Sequence, residues 1–143
     1  MPEKAKLLRL RAEDAEDLAV MSAALQDAVG KIGDIRFEAQ SRRLTLTLNR
    51  YRWEAGGRSR VRAALQLGSV EGVEARRLRR DAPDAVVELL ALTFEPDAEP
   101  PGGALILSFA GGGDLKVKVE CVDAVLADVS DPWPTPRTPR HET

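Results

Sequence analysis

From residue 32 onward the spacing of apolar residues changes from helical to alternate, and this change constrains the fold more than any other feature of the chain. In LTLTL (44–48), Leu44, Leu46 and Leu48 face one way and Thr45 and Thr47 the other. SRVRAALQL (59–67) sets Val61, Ala63, Leu65 and Leu67 against Arg60, Arg62, Ala64 and Gln66. DLKVKVEC (114–121) alternates Leu115, Val117, Val119 and Cys121 with Lys116, Lys118 and Glu120. A period of two belongs to strands with one buried face. Turn-rich stretches separate these segments: AQSRR, EAGG, Asp-Ala-Pro-Asp at 81–84, EPDAEPPGG and AGGG. AVVELLALTF is apolar on both faces and is expected to lie inside a sheet. KLLRL (6–10), IRF (35–37) and the stretch around Val70 and Val73 read as shorter strands.

One helix precedes the strands. Leu18, Met21, Leu25, Ala28 and Val29 recur at helical spacing over roughly Asp14 to Val29. Asp14 is the expected N-cap, Glu16 and Asp17 suit the positive end of the helix dipole, and Gly30 is placed to end the helix. VDAVLADVS (122–130) fits both a short helical turn and a strand. The tail from Asp131, DPWPTPRTPRHET, carries four prolines.

A helix followed by about seven strands with tight turns is an α+β pattern, mainly antiparallel. The expected architecture is a curved sheet or small barrel with the N-terminal helix packed against it. The count suits a pleckstrin-homology-like or split-barrel arrangement, by analogy of architecture alone. A chain of 143 residues with 43% apolar and 31% charged residues fits one domain, expected over 1–133, with 134–143 as a disordered Pro-rich tail.

Several function classes are disfavoured by what the chain lacks. No apolar run reaches the length that spans a bilayer, and the acidic N-terminus has no secretory h-region. Cys121 is the single cysteine and His141 the single histidine, which leaves no internal disulfide, thiolate metal site or Ser–His dyad. AGGGD (110–114) leads into a strand and so reads as a turn, not a phosphate-binding loop. Asp123, Asp128 and Asp131 do not match calcium-loop spacing. Cytoplasmic location, no cofactor and no membrane association are expected.

Four segments taken together carry a family resemblance: LLRLRAEDAEDLAVMSAALQDAVGKIGDI, LTLTLNRYRWE, DAVVELLALTFEP and VECVDAVLADVSDPW. In order and spacing the chain, from about Leu7 to Trp133, resembles the bacterial domain-of-unknown-function family 2948. The resemblance implies a small stand-alone cytoplasmic protein and carries over no activity and no site residues.

Charge supplies the candidate site. The net charge of −2 conceals a division. Residues 42–80 hold eleven arginines against three acids, whereas residues 81–143 hold four basic residues against twelve acids. Arg50 and Arg52 share parity with Leu44, Leu46 and Leu48, so a regular strand would aim them at the core, at high cost if unpaired. A bulge near Asn49 would turn them outward and bring Tyr51 and Trp53 in. Arg50, Arg52, Arg58, Arg60 and Arg62 would then share one hairpin face. Such a face would bind an anionic partner, or would be answered by the chain's own acidic half. Trp133 is a candidate for anchoring the C-terminus or docking a partner. The expected function is a non-catalytic binding module for an unidentified protein partner, as monomer or homodimer. The alternative is nucleic-acid or phosphate-ligand binding through the Arg face, and an enzyme is the least favoured.

Overall fold

The structure, a computed structural model, describes residues 6–139. It contains one α-helix, α1 (Ala15–Leu25), and eleven strands. The strands are β1 (Arg9–Ala12), β2 (Ala28–Lys31), β3 (Ile35–Glu38), β4 (Arg43–Tyr51), β5 (Ser59–Leu67), β6 (Val70–Arg76), β7 (Val86–Pro96), β8 (Gly103–Phe109), β9 (Asp114–Val119), β10 (Ala124–Asp128) and β11 (Trp133–Pro134). The class is α+β with antiparallel pairing throughout, and the strand number exceeds the expected seven. The order is β1-β10-β5-β4-β2-β7-β8-β9-β6, with β3 on β4 and β11 on β5. Among the described residues no helix is long and apolar enough to cross a membrane.

The alternating segments form the strands they predict, and their apolar faces converge. Leu44, Leu46, Leu48, Ala63, Leu65 and Leu67 join Leu105, Leu107, Leu115 and Val117 in one core. β7 pairs with β2 on one edge and β8 on the other, inside the sheet as expected, although Val86 and Leu90 on its other face remain exposed. VDAVLADVS resolves as strand β10, seated between β1 and β5. β1 begins at Arg9, three residues later than KLLRL suggests.

The helix is shorter than its periodicity suggests. The Asp14 carboxylate accepts from Asp17 N at 2.8 Å, and Leu18, Met21 and Leu25 are buried. The helix stops at Leu25; Asp27 adopts a left-handed φ of 63°, and Ala28 and Val29 enter β2. Gly30 is therefore a strand residue, not the helix terminator. A Cβ at Gly30 would lie 2.6 Å from Leu48 Cδ2 and 3.0 Å from Thr47 O, so glycine lets β2 lie close against β4. Backbone partners in β4 and β7 outweigh helix propensity over these residues.

The sheet curls back on itself without closing. β4 and β6 stand five steps apart in the strand order, yet Val70 N donates to Arg42 O at 2.9 Å just before β4. Beyond that contact β3 and β6 do not pair with each other. Among the described residues β3 pairs only with β4, and β6 only with β9, so each keeps one edge without a strand partner there.

Candidate functional site

The basic hairpin differs from its expected arrangement at one decisive residue. The β4–β5 register runs without interruption from Leu44↔Leu67 to Tyr51↔Arg60, so no bulge forms at Asn49. Arg50 keeps the parity of the leucines and points inward, 0% exposed. This corrects its expected place on an outer anion-binding face. Tyr51 has outer parity but is buried all the same. Trp53 packs edge-on at 4.7 Å between ring centroids, the Arg60 guanidinium lies 5.9 Å from its ring centre, and its hydroxyl is 3.3 Å from Thr138 Oγ1.

Arg50 is tolerated in the core because every side of its guanidinium is met. Nε and Nη2 donate to Asp128 Oδ1 and Oδ2 at 2.8 and 2.9 Å, while Nη1 and Nη2 donate to Glu54 Oε1 and Oε2 at 2.9 and 2.8 Å. Asp128 also accepts from Leu8 N at 2.8 Å, which ties in the segment before β1. Burial alone would lower the Arg50 pKa, but the hydrogen bonds to Glu54 and Asp128 outweigh it and hold the pKa above its ordinary value.

Hydrogen bonding to Arg50 holds the Glu54 carboxyl below its ordinary value of 4.5, against the opposing effect of burial. A depressed carboxyl pKa stabilises the fold above the unfolded value and loses that contribution as pH falls through the folded value. Glu54→Gln should therefore lower stability at neutral pH, by about 1 kcal/mol or less given its partial exposure. Urea midpoints of the two proteins should converge below the ordinary carboxylate range, and a constant difference across pH would contradict the pairing.

The other hairpin arginines are engaged in different ways. Arg52 Nη1 donates to Ser59 Oγ at 3.1 Å and Arg60 Nη1 to Asn49 O at 3.3 Å. Arg62 lies 3.9 Å from Asp34, and Arg58 Nη1 donates to Pro136 O at 3.1 Å. Trp133, 37% exposed, opens β11 opposite Arg60, and Thr135 N donates to Arg58 O at 3.1 Å. The described part of the Pro-rich tail thus lies along the start of β5. Residues 140–143, His141 among them, lie outside the described residues. Between this tail and the sheet is a cleft of about 1040 Å³, lined by Arg58, Arg60 and Arg137 together with Asp27 and Glu88.

The acidic half answers part of the basic middle: Arg42 meets Glu120 at 2.7 Å, Arg50 meets Asp128, and Arg76 meets Asp114 at 2.6 Å. Unanswered guanidinium charge gathers elsewhere. Among the described residues the side chains of Arg36, Arg43, Arg77, Arg79 and Arg80 have no ion-pair or hydrogen-bond partner. All five are exposed; Arg80 lines the rim of the open seam between β3 and β6, Arg36 stands on the outer face of β3, and Arg77 reaches toward Gly112 in the β8–β9 turn.

That seam is a slot of about 380 Å³. Ile35 and Phe37 line it from β3 and Val73 and Ala75 from β6, with Leu44 and Leu115 among its remaining apolar lining. The Arg42–Val70 hydrogen bond bounds one end. At the other, the 77–85 loop packs on a short 3-10 turn (Ile32–Asp34), with Gly33 N donating to Pro83 O at 2.8 Å and Arg80 at the rim. Phe37 is 41% exposed there, although it sits opposite buried Leu44. Sequence reasoning missed the slot, though the run ARRLRR marked its arginine-rich end.

Cys121 lies past the end of β9 and is half-buried, with its thiol 3.9 Å from Ser69 Oγ; it is not the strand residue its alternation suggested. AGGGD forms the β8–β9 turn, with left-handed Gly111 and Gly112.

No curated protein and no solved structure matches this chain. One family model does, over residues 8–141, and its description is "Protein of unknown function (DUF2948)". With nearly the whole sequence matched, the chain belongs to the DUF2948 family.

Proposed function

We propose that this protein is a non-catalytic binding module of the cytoplasm that takes up an extended polypeptide segment at the β3–β6 seam. One observation carries the reading: two strands, each with an unpaired edge, flank an apolar slot where the sheet stops short of closing. Unpaired edges offer rows of N–H and C=O groups, and an added strand satisfies them while pockets between them accept alternate side chains. β3 runs from the Pro83 end of the slot toward the Arg42 end, and β6 runs the opposite way. A strand inserted between them would lie antiparallel to one neighbour and parallel to the other. The four residues of β3 span about 13 Å, enough for a short segment. The pleckstrin-homology-like arrangement expected from the strand count stays an analogy of architecture, a single helix on an antiparallel sheet, and adds no ligand.

Selection of a displayed random-peptide library on the immobilised protein tests this. The expected outcome is enrichment of extended sequences with alternate apolar residues that bind wild type and not Phe37→Asp. Because Phe37 is partly exposed, the substitution should leave the fold intact, which circular dichroism checks. Enriched peptides that bind both proteins equally would refute the seam as the site.

A second reading keeps the basic hairpin. Arg58, Arg60 and Arg137 share the cleft under the tail, and guanidinium forks suit phosphate. Asp27 and Glu88 line the same cleft and oppose a phosphate ligand, which favours the seam. Anisotropy of labelled RNA and DNA over a salt series separates the two, since phosphate contacts weaken steeply with salt.

A further inference from the structure

We infer that the segment recognised at the seam belongs to an acidic partner protein, with apolar residues at alternate positions entering the slot and carboxylates reaching the Arg77–Arg80 end. The inference rests on the strand-binding reading and adds the chemistry of the ligand.

Charge at the seam is the first support. Arg36, Arg43, Arg77, Arg79 and Arg80 lack partners among the described residues, and the acids near them in the chain or register are Glu38, which sits opposite Arg43 and accepts from Ser41 Oγ at 3.5 Å, Glu74 and Asp81. The excess is positive and uneven: three of the arginines stand in the 77–80 loop at one end. Elsewhere the fold supplies a counter-charge, as Glu120 does for Arg42 and Asp114 for Arg76. Like charges held side by side without an answer destabilise the surface that carries them, so an acidic segment gains by relieving that repulsion.

The side-chain directions are the second support. On β3, Ile35 and Phe37 sit opposite Leu46 and Leu44 and face inward, while Arg36 sits opposite Thr45 and faces outward. A strand added beside β3 repeats that alternation. Its inward residues meet Phe37, Val73 and Ala75, and an outward carboxylate can lie next to Arg36.

The test uses fluorescein-labelled peptides that alternate valine with aspartate, glutamine or lysine, titrated by anisotropy at low and high salt. Wild type should bind the aspartate peptide most tightly and the lysine peptide least, with about tenfold between aspartate and glutamine if two to three arginine pairs form. Arg79→Glu/Arg80→Glu, two exposed and unpartnered positions, should reverse the order without altering the fold. Equal affinity for the aspartate and glutamine peptides, or an order unchanged in the double variant, would overturn the acidic partner and leave strand binding standing. Binding of none of the three would also overturn it, and the library selection with Phe37→Asp decides separately whether the seam takes a strand. A wild-type dimer that Phe37→Asp dissociates would assign the seam to a second copy and overturn it as well.

Discussion

Arg50→Met should be the most damaging single substitution of a charged residue in this protein, with a loss of about 3–5 kcal/mol in unfolding free energy. The loss comes chiefly from what remains behind. Asp128, whose side chain is fully buried, would be left with only Leu8 N to satisfy its carboxyl group. Removing one member of a buried pair strands an uncompensated charge, whereas removing both with apolar replacements of similar volume is often near neutral. Arg50→Met/Asp128→Leu should therefore recover much of the stability lost in the single variant. Thermal or urea unfolding of the set of four proteins measures this, and additive losses would show that the pair does not act as a unit. In a chain of this size the single variant should lower Tm by roughly 10–20 °C.

Leu65→Ala should cost about 3–5 kcal/mol, and Arg62→Glu, three residues away on the same strand, close to nothing. Leu65 is 0% exposed and lies between Leu46 on β4 and Leu126 on β10. Truncating it leaves a cavity that three paired strands cannot close by moving. Arg62 is exposed and only 3.9 Å from Asp34, a distance at which a surface pair contributes little. The contrast tests whether β5 has one structural face and one free face. Comparable losses at the two positions would mean that the outer face is part of the fold's support.

Much of the fold was legible because period-two spacing is a local signal. LTLTL, SRVRAALQL and DLKVKV each became the strand they spell, with the predicted faces buried, though the last ends at Val119 and leaves Cys121 outside it. Where local signals compete, the sequence was less informative. Ala28 and Val29 continue the stripe of α1, yet backbone pairing with β7 claims them for β2, and nothing local announces that partner. Arg50 is the sharper case. Parity pointed it inward, and the cost of an unpaired buried charge argued against that. The resolution lies 78 residues away in Asp128, which shares inward parity with Ala124 and Leu126 on β10. Two inward charges of opposite sign on separate strands are a signal that the sequence does contain. The seam leaves no comparable trace, since it depends on how far the curled sheet closes. Only the excess of arginine in ARRLRR hinted at that rim.

The charge division between the basic middle and the acidic end also resolves into two parts. Some of it is structural, spent in the Arg42–Glu120, Arg50–Asp128 and Arg76–Asp114 pairs. Of the remainder, Arg80 lines the slot and Arg77 and Arg79 share its loop, which supports the reading of that slot as a binding surface.

Backbone amide hydrogen exchange, measured with and without a library-selected peptide, tests the central claim most directly. Strand addition at the seam predicts new protection at residues 35–38 and 72–76, with β5 unchanged. Protection confined to residues 58–62 and 133–137 would place the ligand on the basic hairpin under the tail and contradict the seam.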